Sequence, residues 1–200
     1  IKRMSPSVYK VQKRGGKGVI GATTKEDSVV KHVLSVTTHD NLFFFTNTGK
    51  IYQTKAYEIP ETTRTAKGNA IVNFLQLGQE EEVTEIIPFN KKDDPSKFLL
   101  MMTRQGVTKK VKIDDFDNVR RSGLIAIKLD KNDKLKWGAP TTGTDEVVLA
   151  TAAGQAIHFK ESDVRPMGRG AAGVRAIKLK GEDVVVGMDV IFKGQKDAQL

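Results

Sequence analysis

No cysteine occurs among the 200 residues, so no disulfide staples the fold, no thiolate can hold a metal and no Cys nucleophile exists. That absence suits a reducing, cytoplasmic setting. The three histidines, His32, His39 and His158, are scattered without a second His or Cys at ligand spacing, so no metal site is expected. No apolar run has the length of a signal peptide or membrane span, and no membrane partner is expected. Amphipathic helical periodicity is missing as well: no segment of ten or more residues carries apolar side chains at i, i+3, i+4 and i+7 between caps. What remains, at 38% apolar residues and a mean hydropathy of −0.36, is an ordinary globular chain able to bury a sizeable core. It opens on Ile1 within what reads as a strand, and is expected to be a piece of a longer protein.

The most informative segment is Gln12-Lys13-Arg14-Gly15-Gly16-Lys17-Gly18, three cations among three glycines. Glycine lacks the Cβ that would hold backbone away from a phosphate ridge, while Lys and Arg neutralise phosphates and release condensed counterions. The net charge of +9 is placed unevenly. Residues 1–17 hold six Lys or Arg and no acid, two-thirds of the whole excess. A concentrated cationic stretch on a balanced body points to an oriented, anionic partner, and double-stranded DNA fits it best.

A repeat of about 50 residues is the second strong signal. Thr46-Asn47-Thr48-Gly49, Thr103-Arg104-Gln105-Gly106 and Thr151-Ala152-Ala153-Gly154 share a T-x-x-G pattern, each after an apolar run, and each marks a hairpin. Beyond each comes a basic loop with a glycine that runs into an apolar strand, and Gly18, Gly68, Gly123 and Gly173 align at spacings of 50, 55 and 50 residues. The units are 18–67, 68–122 and 123–172, flanked by partial units 1–17 and 173–192, together one domain over 1–192, with 193–200 a frayed tail.

Each unit reads as four short strands, in the first case 19–22, 29–36, 42–46 and 51–54. A four-stranded sheet of this size cannot bury its own faces, so the all-β expectation is a radial, propeller-like array of blades. Phe43, Phe44 and Phe45 then belong to a blade core rather than to a base-stacking platform.

Catalytic chemistry finds little support. Gly18 and Val19 follow Lys17 where a phosphate-binding loop needs Ser or Thr for magnesium, so ATP has no site, and no cofactor is expected. Glu80, Glu81, Glu82 and Glu85 read as a solvated acidic loop, and Asp114, Asp115 and Asp117 as salt-bridge partners of Lys112 and Arg120.

The heptad satisfies the gyrase A box, Q-[R/K]-R-G-G-[R/K]-G, at every position, and the T-x-x-G repeats extend the likeness to about Phe192. On these residues the chain resembles the C-terminal domain of the DNA gyrase A family. The resemblance implies a β-pinwheel, a propeller relative whose blades exchange strands and whose basic rim wraps DNA in a chiral crossing. It implies that the domain is non-catalytic, that the cleaving tyrosine and the ATPase of a type II topoisomerase lie elsewhere, and that Tyr9, Tyr52 and Tyr57 are not nucleophiles. The implied partners are the rest of the gyrase A polypeptide and gyrase B in an A2B2 assembly, in a bacterial cytoplasm at the nucleoid. Domains of the family usually carry six blades, whereas about four repeats are present here: either the sequence is a trimmed piece and the ring is incomplete, or the partial units 1–17 and 173–192 pair to complete a smaller or open ring. Alternatives are the topoisomerase IV counterpart, which usually has a degenerate box, and a protein-binding β-propeller.

Wrapping needs cations that recur with the blades and point outward. After the hairpin turns stand Lys2 and Arg3, Lys50 and Lys55, Lys109, Lys110 and Lys112, and Lys160. The glycine-bearing loops add Arg64, Lys67, Arg120, Arg121, Arg165, Arg169 and Arg175 to Arg14 and Lys17. All are expected along one rim.

Overall fold

The computed structural model describes residues 1–9, 13–18, 20–21, 29–92 and 94–194. Eleven strands and five short 3₁₀ turns make up its regular structure. They form three antiparallel sheets. Sheet 1 holds β1 (Asn41–Thr46), β2 (Lys50–Lys55), β3 (Val83–Phe89) and β6 (Leu124–Ile125) in the order β3-β1-β2-β6. Sheet 2 holds β4 (Phe98–Thr103), β5 (Val107–Lys112), β7 (Leu135–Thr141) and β10 (Val174–Arg175) in the order β10-β5-β4-β7, and sheet 3 orders β11 (Val185–Ile191), β8 (Glu146–Thr151) and β9 (Ala156–Lys160) as β11-β8-β9. Among the described residues the sheets are not closed into a ring.

Each sheet is built on one T-x-x-G hairpin. The glycines of the turn, Gly49, Gly106 and Gly154, have φ of 80°, 80° and 78°, a left-handed conformation that a β-carbon resists. Their N–H groups donate to the carbonyls of Thr46, Thr103 and Thr151, three residues earlier.

The sequence repeat is not the blade. Around the hairpin 41–55 the structure places β3 and β6, drawn from the two repeats that follow, instead of the expected 19–22 and 29–36. Of those two, 19 and 22 fall outside the described residues, and 29–36 carries no strand. A repeat records one strand of each kind per period, whatever sheet that strand joins. Exchange follows a rule: β6 lies in sequence between β5 and β7 of sheet 2 but pairs with β2, and β10 lies between β9 and β11 of sheet 3 but pairs with β5.

The aligned glycines enter at this exchange. Gly68, Gly123 and Gly173 have φ of 73°, 76° and 94°, and a Cβ there would stand 2.9 Å from Ile1 O, 2.8 Å from the Tyr52 ring and 2.6 Å from Thr108 O. Only a bare α-carbon lets the crossing chain lie on the second strand of the neighbouring hairpin.

Packing explains the apolar runs. Alternate side chains of a strand face opposite sides. Phe43 and Phe45 of β1 therefore enter a core shared with Leu99 and Met101 of β4, while Leu42 and Phe44 face a second core with Tyr52, Ile59 and Leu75. Leu100 and Met102 of β4 meet Val147, Leu149 and Val185 of sheet 3. Sheet 2 is thus covered on both faces, and its inner strand β4, Phe98–Thr103, reads as a continuous apolar run up to Met102. Phe43, Phe44 and Phe45 are 2%, 1% and 0% exposed, as a blade core requires.

Candidate nucleic-acid interface

Residues 13–18 form an exposed loop. Gly16 N–H donates to Lys13 O at 2.9 Å, closing a turn in which Gly15 takes φ 87°, and Gly18 follows at φ 74°. Among the described residues beyond the chain neighbours, no atom stands within 4 Å of where a Cβ would sit at Gly15 or Gly18. Lys13, Arg14 and Lys17 are all exposed, and among the described residues none forms an ion pair. Tyr9 donates its hydroxyl to Gly21 O at 2.7 Å, tying the two ends of the loop. Gln12 lies outside the described residues.

Two of the cations expected on the rim are not there. Lys109 and Lys110 are 0% and 3% exposed. They sit in the middle of β5, in a sheet covered on both faces, so neither direction of the strand's alternation leads to solvent. The Lys109 ammonium donates to Ala126 O at 2.7 Å and to Arg169 O, with no carboxylate partner among the described residues. Burial lowers its pKa to about 8. Lys110 donates to Glu161 O at 2.8 Å, lies 3.5 Å from the Glu161 carboxylate and stands 5.0 Å over the Phe98 ring.

Four more have their head groups on protein. Lys2 donates to Arg64 O and Ala66 O, both at 2.8 Å; Arg3 donates to Ile59 O and pairs with Glu61 at 3.2 Å. Lys50 pairs with Glu81 at 3.3 Å, and Lys55 donates to His39 O at 3.2 Å.

The remaining candidates fall into two repeating sets. Lys55, Lys112 and Lys160 are the last residues of β2, β5 and β9, each capping the 3₁₀ turn that follows, one per sheet; Lys112 and Lys160 are exposed. The loops before the exchange glycines carry Arg64, half-buried, and exposed Lys67, Arg120, Arg121, Arg165 and Arg169, with exposed Arg175 on β10. Lys128 and Lys178 belong with them. Each follows a buried isoleucine, Ile127 or Ile177, in an identical Ala-Ile-Lys-Leu run, and each is exposed. The duplicated tetrapeptide was the available sequence signal.

The acidic residues also depart from expectation. Glu81 is 7% exposed, not solvated. Burial by itself would raise its pKa, but hydrogen bonds from Gly78 N–H, Thr46, Thr48 and Tyr52 prevail and hold it at about 2. Burial, followed by the bond to Glu81, pushes the Tyr52 phenol up. Asp133 and Asp183 play a related part, accepting the turn N–H groups of Gln105 and Ala153 at 3.0 and 2.9 Å. A carboxylate thus ties each T-x-x-G turn to the chain entering the next strand. Asp114 and Asp117 pair with Lys91, at 2.7 and 2.8 Å, rather than with Lys112 or Arg120. His32 stands 3.9 Å from Glu85, whose carboxyl is raised by burial, and His158 stands 2.8 Å from Glu146.

Hairpin sheets joined by exchanged strands, with exposed cations recurring along their edges, define a β-propeller-type domain. The model of the DNA gyrase C-terminal domain, a β-propeller, matches residues 1–37, 40–90, 97–141 and 145–191. The chain belongs to the DNA gyrase C-terminal domain family. It is 47% identical over 175 residues to the DNA gyrase A polypeptide of Clostridium acetobutylicum, covering 88% of this chain and 21% of that protein. The chain therefore spans about a fifth of such relatives. Among solved structures, a DNA gyrase A C-terminal domain matches with a TM-score of 0.71 at 32% identity, covering 94% of this chain and 60% of the other. The C-terminal domain of a DNA topoisomerase IV matches at 0.70 and 32% identity, covering 78% and 48%. No helix among the described residues is long and apolar enough to cross a membrane.

Proposed function

We propose that this chain binds double-stranded DNA without sequence preference and bends it around the blade edges, the wrapping step that lets a gyrase introduce negative supercoils. The observation that carries the reading is the exposed turn of residues 13–18, where Lys13, Arg14 and Lys17 stand on a glycine-rich backbone with no ion pair among the described residues. Gln12 completes that box in sequence. Lys67, Lys112, Arg120, Arg121, Lys160, Arg165, Arg169 and Arg175 extend the contact from sheet to sheet, joined by Lys128 and Lys178, and by Arg64 from its half-buried place. Smooth bending of a 20–30 base-pair site costs roughly 1–6 kcal/mol, which a ladder of phosphate contacts offsets. The intact box favours gyrase over topoisomerase IV.

On this reading the domain carries no catalytic residue and needs no cofactor. Cleavage and ATP hydrolysis belong to the rest of gyrase A and to gyrase B in an A2B2 type II topoisomerase, acting on the nucleoid in a bacterial cytoplasm.

The test is wrapping itself. The domain is bound to nicked circular DNA, the nick is sealed with ligase, and the trapped linking number is read. A linking change of one sign is expected, together with a loss of about 10³–10⁵ in affinity between 50 and 200 mM salt if six to ten phosphates are engaged. Replacing Lys13, Arg14 and Lys17 by Ala should abolish the trapped change, and supercoiling by the parent enzyme, while relaxation persists. An unchanged linking number with the wild-type domain overturns the proposal.

A further inference from the structure

Lys2 and Lys109 occupy the same place in two repeats that are separated by a third. Each follows the residue that meets the exchanged segment: Ile1 exchanges main-chain hydrogen bonds with Asn69, and Thr108 pairs with Val174. Each sends its ammonium to the carbonyl of an arginine four residues before the exchange glycine, Arg64 before Gly68 and Arg169 before Gly173. Lys2 takes Ala66 O as well, and Lys109 takes Ala126 O, just beyond β6. The next residue repeats a main-chain tie to the same loops: Thr62 N–H donates to Arg3 O at 3.0 Å and Met167 N–H to Lys110 O at 2.8 Å. In the repeat between them the lysine is replaced by Tyr52, whose hydroxyl donates to Gln76 O and Glu81 instead. Among the described residues, the loop bearing Arg120 and Arg121 thus has no such ammonium.

We propose that Lys2 and Lys109 are positioning residues for DNA binding: they hold the basic loops by their carbonyls so that Arg64 with Lys67, and Arg165 with Arg169, face the duplex. This rests on the DNA-binding reading above. Buried or half-buried, neither ammonium is offered to a phosphate. What each supplies is a charge-assisted hydrogen bond that turns carbonyl oxygens inward, away from a polyanion, and fixes the loop before binding. A loop ordered in advance loses less freedom when its arginines meet phosphate.

The experiment measures duplex affinity by fluorescence anisotropy across a salt series, with the whole chain. Variants are Lys2→Met, Arg64→Ala and their double, the matching set Lys109→Met, Arg169→Ala and double, and Arg120→Ala as a control on the loop without a lysine. Lys2→Met should weaken binding about three- to tenfold and lower the salt slope by about one, and Arg64→Ala should add little to it, because both act through one contact. Lys2→Arg should restore binding. Arg120→Ala should combine with Lys2→Met multiplicatively. Hydrogen exchange of the amides in 62–68 should quicken in Lys2→Met without DNA. Should Lys109→Met fail to fold, the Lys2 set at the edge of the molecule decides alone. Multiplying effects of Lys2→Met and Arg64→Ala, or unchanged exchange with intact binding, overturns the positioning role. A wild-type chain that binds no duplex sinks the DNA reading and this role with it, while the exchange data still report whether the lysine orders its loop.

Discussion

The loop 13–18 and the strand β5 are the two places where cations crowd together in this chain, and they use them in opposite ways. In the loop, Lys13, Arg14 and Lys17 are exposed and unpaired among the described residues. In β5, Lys109 and Lys110 are buried, their ammoniums committed to main-chain carbonyls and to Glu161. The difference lies in backbone context. Glycine-rich chain that belongs to no strand among the described residues leaves long side chains to solvent, whereas a strand in a sheet covered on both faces encloses whatever it carries. Lys112, two residues beyond Lys110 at the end of the same strand, escapes and is exposed. Local charge density is therefore a poor guide to a phosphate contact unless the position along the strand is read with it.

The largest expected effect separates Lys110 from Lys112. Lys110→Ala leaves the fully buried Glu161 carboxylate with Thr141 and the amides of Gly143 and Asp145 but without its cation. Removing one partner of a buried ion pair costs about 3–5 kcal/mol. Lys112→Ala should change stability by no more than about 0.5 kcal/mol while weakening DNA binding. Urea unfolding measures the first, and anisotropy the second. Comparable stability losses in the two variants would remove the distinction between interior and edge lysines.

The pH dependence of stability should show the same division. Lys109 holds its proton less tightly folded, at about 8, than in the unfolded chain near 10.5. Between those values the unfolded state binds more protons, so stability should rise with pH across that window, with the full burial cost present below it. Glu81 works at the acid end. With a folded pKa of about 2 against an ordinary 4.5, its contribution is complete above the ordinary value and is lost as pH falls toward 2. Denaturation midpoints against pH, for wild type, Lys109→Met and Glu81→Gln, check both slopes. Each variant should flatten its own limb, and the triple Lys13, Arg14, Lys17→Ala variant should flatten neither.

Much of this was legible in the sequence, and particular residues show where legibility stopped. Gly49, Gly106 and Gly154 marked the hairpins, and the aligned Gly68, Gly123 and Gly173 marked the loops that the structure shows to be chain crossings, because each is forced by a local conformation that one residue type satisfies. Phe43 to Phe45 announced a strand buried on both faces. Which strands share a sheet was not readable: pairing β6 with β2 joins residues more than 70 apart, and nothing in Leu124-Ile125 names its partner. Lys109 looked like Lys112 for the same reason. Glu81 looked solvated because its flanking glutamates are, and only the fold brings Thr46, Thr48 and Tyr52 around it.

The smallest expected effect sets a glycine of the exposed loop against one of the hairpins. Gly15 and Gly106 have nearly the same backbone, φ 87° and 80°, so an alanine at either should cost about 1 kcal/mol for a left-handed conformation. Their surroundings differ. Among the described residues beyond its chain neighbours nothing lies within 4 Å of a Cβ at Gly15, whereas at Gly106 it would stand 2.8 Å from Ile177 Cγ2 and 3.2 Å from Ile177 O. Ile177 belongs to the buried core between sheets 2 and 3 and cannot withdraw without opening it, which adds roughly 1–3 kcal/mol. Gly106→Ala should therefore lower the unfolding midpoint clearly, and Gly15→Ala should lower DNA affinity while leaving that midpoint almost in place, since a loop in no strand can relax out of the left-handed conformation without disturbing any sheet. Equal shifts in midpoint would mean that the loop 13–18 is packed as firmly as the hairpins, and its cations would then be structural like those of β5.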